Sequence, residues 1–348
     1  MAGITLCHYF LKINKIMEIK IPYYEDIGRI SRGYLETFAK SPKELKKILD
    51  GKYEFVTTPA MENGTMVHMY LLQEKEFKET YKILNFETPS SAQQKQFALK
   101  YIESKAEKPI LKASEAFSAC YATDKLSEEK IAEKGLEMAL KLKSYIKHLR
   151  EKGNNQKQLT FSKLNTLKAI KESVQMHKQA NELLYKLGST EGETSFNEFH
   201  INWAFPVDKD KVIDCKSLLD RFVIDENKKI LYLIDIKTTL SLSGFNKSFK
   251  EYNYGFQMCF YWAAIYWYMK NVLGKDPEDY AHETKIIAIE NGTNECRVFT
   301  VPDSLITNEI QKISSLLKEI YWHITNDKWD YTREYYEGDG SESLLYDI

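Results

Sequence analysis

The sequence has few of the residues that mark secreted, fibrous or low-complexity proteins. Among 348 residues there are only 8 Pro, 15 Gly and 5 Cys. The cysteines are odd in number, scattered, and without the CxxC spacing of a zinc site or an iron–sulfur cluster. They are Cys7, Cys120, Cys215, Cys259 and Cys296. A reducing cytoplasm is therefore the expected compartment.

Long hydrophobic runs are also missing. The longest, residues 258–269 (MCFYWAAIYWYM), is shorter than the ~20 residues that a membrane-spanning helix needs, so it is predicted to be a buried core helix. Residues 1–16 (MAGITLCHYFLKINKI) have neither the long apolar core nor the small-residue cleavage site of a signal peptide. We interpret them as an N-terminal extension before Met17.

A large net charge is absent too. With 49 Lys and Arg against 50 Asp and Glu, the formal charge is −1. Domains that bind nucleic acid are often basic, so charge alone does not indicate such a partner, although these cations could line one channel. Apolar residues are plentiful, at 43% hydrophobic and 13% aromatic. That composition supports a sizeable core in one large domain or two ordinary ones.

Residues 1 to about 190 are predicted to be mostly helical. In residues 41–49 (SPKELKKIL), Ser41 is suited to cap a helix and Pro42 to occupy its first position. Helical spacing of apolar residues recurs in three longer segments, 64–84, 93–150 and about 161–187. A break is expected at 151–158 (EKGNNQKQ).

The second half shows strand patterns. Residues 198–207 (EFHINWAFPV) alternate, which places Phe199, Ile201, Trp203 and Phe205 on one face. Further strands are predicted at 212–224, 229–239, 285–290 and 296–301, and helices at 255–274 and 304–326. A helical first half followed by a mixed β–β–β–α–β core predicts an α/β or α+β fold, with a central mixed sheet flanked by helices.

The strand KILYLIDIKTT (229–239) carries the most informative pair. Asp235 and Lys237 project from the same face, and because the strand is apolar on both faces, their charges must be compensated. Folding the chain about residues 226–228, within the polar turn 225–228, places Asp220 opposite a residue between about 233 and 235, within reach of Asp235.

Two neighbouring buried carboxylates repel each other unless a divalent cation neutralises them. Oxygen ligands suit Mg²⁺ or Mn²⁺. Asp220, Asp235 and Lys237 therefore predict a centre for phosphodiester hydrolysis, in which the lysine positions or deprotonates water and balances charge. The alternative is an Asp–Lys ion pair at a sheet edge beside an unrelated surface Asp, because DxK alone is a weak motif.

Two further motifs accompany this pair. Gly64 and His68 are four residues apart on a helix, and so are Gln257 and Tyr261. With Asp220 and the DIK motif they resemble the RecB-type branch of the PD-(D/E)xK nucleases, which carries GxxxH, an acidic residue, D, DxK and QxxxY in that order. Taken alone, the histidine would be structural and the other pair the polar edge of a core helix.

The chain also resembles the exonuclease VIII (RecE-type) phage recombination nucleases over about residues 20–270. The matching segments are 30–49, 64–77, 169–184, 198–203 (EFHINW), 215–220 (CKSLLD), 234–239 (IDIKTT) and 257–261 (QMCFY). One departure is Leu218-Leu219, where that family has Arg-Pro, so any DNA contact from the arginine is missing.

The resemblance implies a restriction-endonuclease-like core and a role for each matching residue. His68, Asp220 and Asp235 would ligate Mg²⁺, with Mn²⁺ as a substitute. Lys237 would be the catalytic lysine. Residues 17–348 would form a single nuclease domain: a helical part, 17–190, that contributes the histidine; a core, 191–303, with the sheet and the QxxxY helix; and a C-terminal helix and tail, 304–348.

The family's additional acidic catalytic residue corresponds to Glu198, or to Glu193 in the segment GETS. Gln257 and Tyr261 would contact the DNA backbone or brace the site. The resemblance further implies a double-strand DNA exonuclease of phage-type homologous recombination. Its partners would be DNA ends and a single-strand annealing protein, and it would form a toroidal homo-oligomer in the cytoplasm of a bacterial host.

Two other functions remain open. One is a nuclease that cuts at a particular site or structure, against which the lack of a recognisable sequence-reading module argues. The other is a catalytically inactive DNA-binding or scaffold subunit. The retained acidic and basic positions argue against it, because an idle pair of buried carboxylates would be a liability.

Overall fold

The computed structural model describes residues 21–84, 86, 88–89, 91–150 and 156–342. The predicted extension, residues 1–16, and the end of the tail, 343–348, lie outside the described residues. The chain divides into two compact units, the first made of Met1–Gln73 with Ile170–Ile348 and the second of Glu74–Ala169. In the part that is described, no helix combines the length and the apolar character needed to cross a membrane.

The first unit opens with helices and ends with a sheet and its covering helices. Its early helices are α1 (Arg32–Lys40), α2 (Pro42–Leu49) and α3 (Pro59–Leu72). The prediction for α2 is confirmed, because Ser41 caps the helix through its side chain, which accepts from Glu44 N, and Pro42 follows as the first helical residue.

The second unit is mainly helical. Its elements are α4 (Glu74–Thr80), β1 (Tyr81–Ile83), α5 (Ala92–Glu103), α6 (Pro109–Cys120), α7 (Glu128–Lys141), α8 (Lys143–Arg150) and β2 (Lys157–Leu159). Phe97 and Phe117 centre its core. Helices α6 and α7 approach closely at Gly135, where a Cβ would lie 2.5 Å from Ala113 O, so only glycine fits there.

Helix α9 (Phe161–Met176) leads from the second unit back into the first, followed by α10 (Lys178–Asn181) and a π-helical turn, Glu182–Lys186. Then come β3 (Glu193–Asp208), β4 (Lys211–Asp225), β5 (Ile230–Thr239), α11 (Phe245–Glu251), α12 (Tyr254–Tyr268), a π-helical turn (Met269–Leu273) and a 3₁₀ turn (Pro277–Asp279). The chain continues with β6 (Ala281–Glu290), β7 (Cys296–Thr300), α13 (Asp303–Thr307), α14 (Ile310–Asn326) and α15 (Arg333–Glu337).

The five strands β3 to β7 form one mixed sheet in sequence order. Neighbouring strands are antiparallel except β5 and β6, which are parallel because α11 and α12 carry the chain back across the sheet. The predicted β–β–β–α–β core is therefore confirmed. The alternating residues of β3 (Phe199, Ile201, Trp203 and Phe205) all face the main core, as predicted, and α12 and α14 pack there too.

Three helix predictions are corrected in detail. Residues 64–84 are not one helix: α3 ends at Leu72, α4 at Thr80, and β1 pairs in parallel with β2, which lies partly in the predicted break at 151–158. Residues 161–187 are divided between α9, α10 and a π-helical turn. Residues 304–326 are divided between α13 and α14. The pairing of β1 with β2 joins segments about 75 residues apart, and such a contact leaves no signal in the local periodicity of the sequence. That residues 17–348 act as one nuclease domain stays a prediction.

Candidate active site

The site forms where β4 separates from β5. The pairs between these strands run from Asp225–Ile230 to Arg221–Ile234, and no further pair is present among the described residues. Beyond that point the side chain of Asp220 replaces the backbone acceptor, and Ile236 N donates to Asp220 Oδ2 at 2.7 Å. The expected meeting of Asp220 with the end of the DxK strand is thus present in the structure.

His68 fills the same gap from α3. Its Nε2 donates to Ile236 O at 2.9 Å, so that Asp220 and His68 between them satisfy both backbone polar groups of Ile236. With the proton on Nε2, the other ring nitrogen is free to bind a cation. That Nδ1 lies 3.3 Å from Asp220 Oδ1 and 3.8 Å from Glu198 Oε1.

Glu198 reaches the cluster from β3. The pairs Asn197–Arg221 and Phe199–Leu219 bracket it, which places it directly across from Asp220. Its φ of +46° lies in the left-handed region, a conformation that costs a non-glycine residue roughly 1–3 kcal/mol and is often found at functional sites.

A change of phase accompanies this backbone conformation. Along β3 the core-facing side chains step from Phe196 to Phe199, and along β4 from Leu219 to Phe222, three residues instead of two. On both strands the pattern of inward-facing side chains therefore shifts by one residue at the level of Glu198 and Asp220. Before and after this level, opposite phases of each strand face the core.

Three groups in this cluster fit a divalent cation. His68 Nδ1 and one carboxylate oxygen each from Glu198 and Asp220 all lie within 4.8 Å of one another. Glu198 Oε1 is buried and accepts no hydrogen bond from the residues that the structure describes, which leaves a negative oxygen to be compensated. The two carboxylates suit Mg²⁺ or Mn²⁺, and the imidazole nitrogen is a ligand that transition-metal ions accept more readily than Mg²⁺ does.

Asp235 and Lys237 form a tight ion pair beside these three groups. Lys237 Nζ lies 2.6 Å from Asp235 Oδ2, and only 1% of Asp235 is exposed. Asp235 Oδ1 is buried and accepts no hydrogen bond within the described part of the chain. Burial first, and then repulsion by Asp220, raise the pKa of Asp235 to about 6 despite the neighbouring ammonium.

The other charged groups of the site shift one another's pKa values. Burial acts to lower the pKa of His68, but the charge of Asp220 outweighs it and raises that pKa to about 10. Burial also acts to lower the pKa of Lys237, and the charges of Asp235 and Asp220 outweigh it, so this pKa is raised. Burial opposes ionisation of Asp220, yet the cationic imidazole holds the pKa of that carboxyl below its usual value.

The two candidates for the extra acidic residue are separated in space. Glu193 pairs with Asp225 at the start of β3, and its carboxylate accepts from Gly188 N at 2.7 Å and Thr190 N at 3.4 Å. It closes a turn, whereas Glu198 lies with His68 in the cluster.

Gln257 and Tyr261 contact each other on α12. Gln257 Nε2 donates to Tyr261 OH at 2.8 Å. Burial, followed by the charges of Asp235 and Asp220, raises the pKa of the Tyr261 hydroxyl well above its usual value. Of the two expected roles for this pair, bracing the site agrees better with a tyrosine that is partly buried against the main core.

One residue at the site has no counterpart among the sequence expectations. The ring of Tyr254 lies 5.0 Å from Lys237 Nζ, so it stabilises the ammonium in addition to the ion pair with Asp235. Its position three residues before Gln257, on the same face of α12, is the signal that could have indicated it.

Comparison with known proteins gives three results. The model of a family described as "PDDEXK-like domain of unknown function (DUF3799)" matches residues 31–335. No curated protein matches the chain. Among solved structures, a crystal structure from Eubacterium rectale named "Putative exonuclease" is similar, with 10% sequence identity, 95% of this chain and 96% of that chain covered, and a TM-score of 0.47.

Proposed function

Since the chain belongs to this family of PDDEXK-like domains, and with it to the PD-(D/E)xK nuclease superfamily, we propose that it is a Mg²⁺-dependent nuclease that degrades double-stranded DNA from its ends. The observation that carries the proposal is the meeting of His68, Glu198 and Asp220 beside the Asp235–Lys237 pair. A nitrogen and several carboxylate oxygens around one point form a centre for hydrolysis of a phosphodiester.

His68, Glu198 and Asp220 would hold the cation, with Asp235 as a further ligand on the neighbouring strand. When bound there, the cation supplies Lewis-acid polarisation of the phosphoryl group and makes a nearby water more acidic. The imidazole ligates in its neutral form. Binding of the cation would therefore release the proton that lies between His68 Nδ1 and Asp220.

Lys237 would act as a fixed positive charge. Its raised pKa keeps it an ammonium at neutral pH, so it is suited to donate hydrogen bonds to a phosphoryl oxygen on which charge develops. Asp235 and the ring of Tyr254 hold it in place, which limits the reorganisation needed during the reaction. The two roles expected for the lysine are proton abstraction from water and stabilisation of developing charge. An ammonium held in place favours the second role.

The finer features of the proposal rest on the resemblance to the exonuclease VIII-type enzymes. They are attack at the ends of duplex DNA, a role in phage-type recombination, a single-strand annealing protein as partner, and a toroidal oligomer in a bacterial cytoplasm.

A cleavage assay with Mg²⁺ on blunt linear duplex, covalently closed circular duplex and single-stranded DNA tests the function. Degradation of the linear duplex alone is the expected result. Cutting of the circle would instead support the site- or structure-specific endonuclease. Binding without cleavage of any substrate would support the inactive subunit.

The Asp235→Ala and Lys237→Ala variants are the controls for this assay. Each should abolish cleavage and keep the circular dichroism spectrum of the wild type. Cleavage at wild-type rates in either variant, or in excess EDTA, would contradict the assigned centre.

A further inference from the structure

Residues 22–30, here named the N-terminal strap, lie against the strands that carry the acidic groups. The strap begins with a turn in which Asp26 N donates to Pro22 O at 3.1 Å. Its end joins the sheet, since Ile30 N donates to Asp214 O and Lys216 N donates to Ile30 O, each at 2.9 Å. The strap is therefore held at its end by backbone hydrogen bonds.

Lys216 fixes the middle of the strap. Its ammonium donates to Tyr23 O and to Asp26 O, both at 2.6 Å, and lies 4.6 Å from the centre of the Tyr23 ring. Only 3% of this lysine is exposed. A buried ammonium is costly without such acceptors, so these contacts strongly favour one conformation of the strap.

Tyr24, the residue after Tyr23, lies near the acidic cluster. The ring of Tyr23 packs edge-on against His200, 5.3 Å away, and His200 follows Glu198 by two residues on β3, a rise of ~7 Å. The ring of Tyr24 packs edge-on against Tyr23 at 5.1 Å, and 79% of Tyr24 is exposed.

The electrostatics agree with this position. Desolvation, followed by the charges of Glu198 and Asp220, raises the pKa of the Tyr24 hydroxyl, although most of the side chain is open to solvent. An exposed aromatic ring thus lies within electrostatic reach of two of the proposed cation ligands.

We infer that Tyr24 is a substrate-binding residue whose ring stacks on the nucleotide next to the phosphodiester that is cleaved. The inference rests on the proposed function. Every base has a π face, so stacking positions a strand without reading its sequence, which suits a nuclease with no recognisable sequence-reading module. Because Lys216 already fixes the strap, little conformational entropy is lost when the ring engages.

The test compares Tyr24→Ala, Tyr24→Phe and Tyr24→Trp with Tyr331→Ala, a control that removes another exposed tyrosine, one that stacks on Tyr335. Blunt duplexes carry 2-aminopurine at or next to the end, and its fluorescence is measured with Ca²⁺ and again with EDTA. Steady-state cleavage is measured with Mg²⁺.

Wild type, Tyr24→Phe, Tyr24→Trp and the control should quench 2-aminopurine alike. Tyr24→Ala should lose the quenching and raise KM about five- to tenfold, with an unchanged unfolding midpoint. Equal KM and quenching in Tyr24→Ala and wild type would overturn the inference. So would a Tyr24→Phe variant as weak as Tyr24→Ala, because the hydroxyl and not the ring would then be needed.

Failure of the proposed function would look different. If neither the wild type nor any variant cleaves DNA, the nuclease proposal fails. The 2-aminopurine quenching in the presence of Ca²⁺ still decides whether the Tyr24 ring binds DNA. Unaltered cleavage by Tyr24→Ala in an active enzyme would remove the inference and leave the nuclease proposal intact.

Discussion

Glu193 and Glu198 lie on one strand, five residues apart, and their surroundings differ completely. The first accepts hydrogen bonds from two backbone amides of a turn. The second has an oxygen near His68 and Asp220 that accepts no hydrogen bond from any described residue. Burial opposes the ionisation of Glu193, but backbone amides stabilise the charge at the turn and lower the pKa of this carboxyl. In the cluster, the charge is compensated by a cationic imidazole or by a metal ion.

We expect Glu198→Gln to lose divalent-cation binding and to reduce cleavage about 100-fold or more, because an amide oxygen is a weaker, uncharged ligand. Glu193→Gln should retain both properties and lower the free energy of unfolding by about 1 kcal/mol, since charge-assisted hydrogen bonds become neutral ones. Calorimetric titration with Mn²⁺ and cleavage rates measure the difference. Similar losses in the two variants would mean that the cluster has been assigned wrongly.

Gly64 is a glycine inside a helix at a position where packing does not require one. It lies inside α3, one turn before His68, and glycine there costs a helix about 1 kcal/mol relative to alanine. Packing does not require it: among the described residues, a Cβ would meet only Thr238 Oγ1, at an ordinary 3.9 Å. A local rule broken beside a site is commonly explained by function.

Gly64→Ala should therefore raise the free energy of unfolding by about 0.5–1 kcal/mol and yet lower kcat/KM, because the methyl group enters space left open next to the site. Gly255→Ala is the matched control. Its Cβ would lie 2.7 Å from Leu305 O, so it should destabilise the protein by about 1–3 kcal/mol. Urea denaturation and steady-state kinetics separate the two effects, and undiminished kcat/KM in Gly64→Ala would show that substrate does not use this space.

At the scale of elements, the turn between β4 and β5 is joined to the segment that leads into β6. Glu226 accepts from Lys275 Nζ at 2.5 Å, from Lys229 Nζ at 2.9 Å and from Tyr280 OH at 2.8 Å. Burial opposes its ionisation, but these hydrogen bonds outweigh it and lower the pKa of Glu226 to about 2. This network supports the end of the hairpin distant from Asp220.

A carboxyl with a lowered pKa in the folded state stabilises the protein at pH values above its unfolded pKa, near 4.5, and loses this effect as the pH falls through about 2. Glu226→Gln should therefore cost about 1–2 kcal/mol at pH 7, a figure reduced for partial exposure, and progressively less below pH 4.5. Urea titrations at pH 7, 4 and 3 test this. Glu251→Gln, which removes an exposed carboxylate paired with Lys247, is the control, and a pH-independent loss in Glu226→Gln would contradict the argument.

At the scale of the whole molecule, every residue of the candidate site belongs to the first compact unit. His68 comes from before the second unit in the chain, and Glu198, Asp220, Asp235 and Lys237 come from after it. The helical insertion Glu74–Ala169 has a core of its own around Phe97 and Phe117. A cation at the site should therefore stabilise one unit directly.

We expect Mg²⁺ or Mn²⁺ at about 100 times its dissociation constant to stabilise the protein by about 2.7 kcal/mol. Hydrogen exchange should slow in α3, β3, β4 and β5, whereas exchange in the second unit should stay unchanged. Ca²⁺ should give the same protection without cleavage, because it accepts irregular coordination and is a weaker Lewis acid. His68→Ala should remove the protection, and equal protection of both units would show that the cation binds elsewhere or that the units unfold together.

Much of this architecture was predictable because the signals that encode it are local. Alternation identified β3, and the polar turn 225–228 between two apolar segments identified β4 and β5. The spacing of Asp235 and Lys237 put both on one face, and a Ser-Pro pair marked the start of α2. Each of these signals lies within about ten residues, where backbone periodicity and capping preferences act. The order of the motifs then indicated the superfamily.

What only the tertiary structure decided depends on contacts between distant segments. The parallel pairing of β1 with β2, the choice of Glu198 over Glu193 for the cluster, and the contact of Tyr254 with Lys237 are of this kind. The left-handed conformation at Glu198 belongs here too, since a sequence carries no local signal for a glutamate in a glycine-like conformation. It is sustained by the strands around it, because the free energy that holds a strained residue comes from packing elsewhere in the fold.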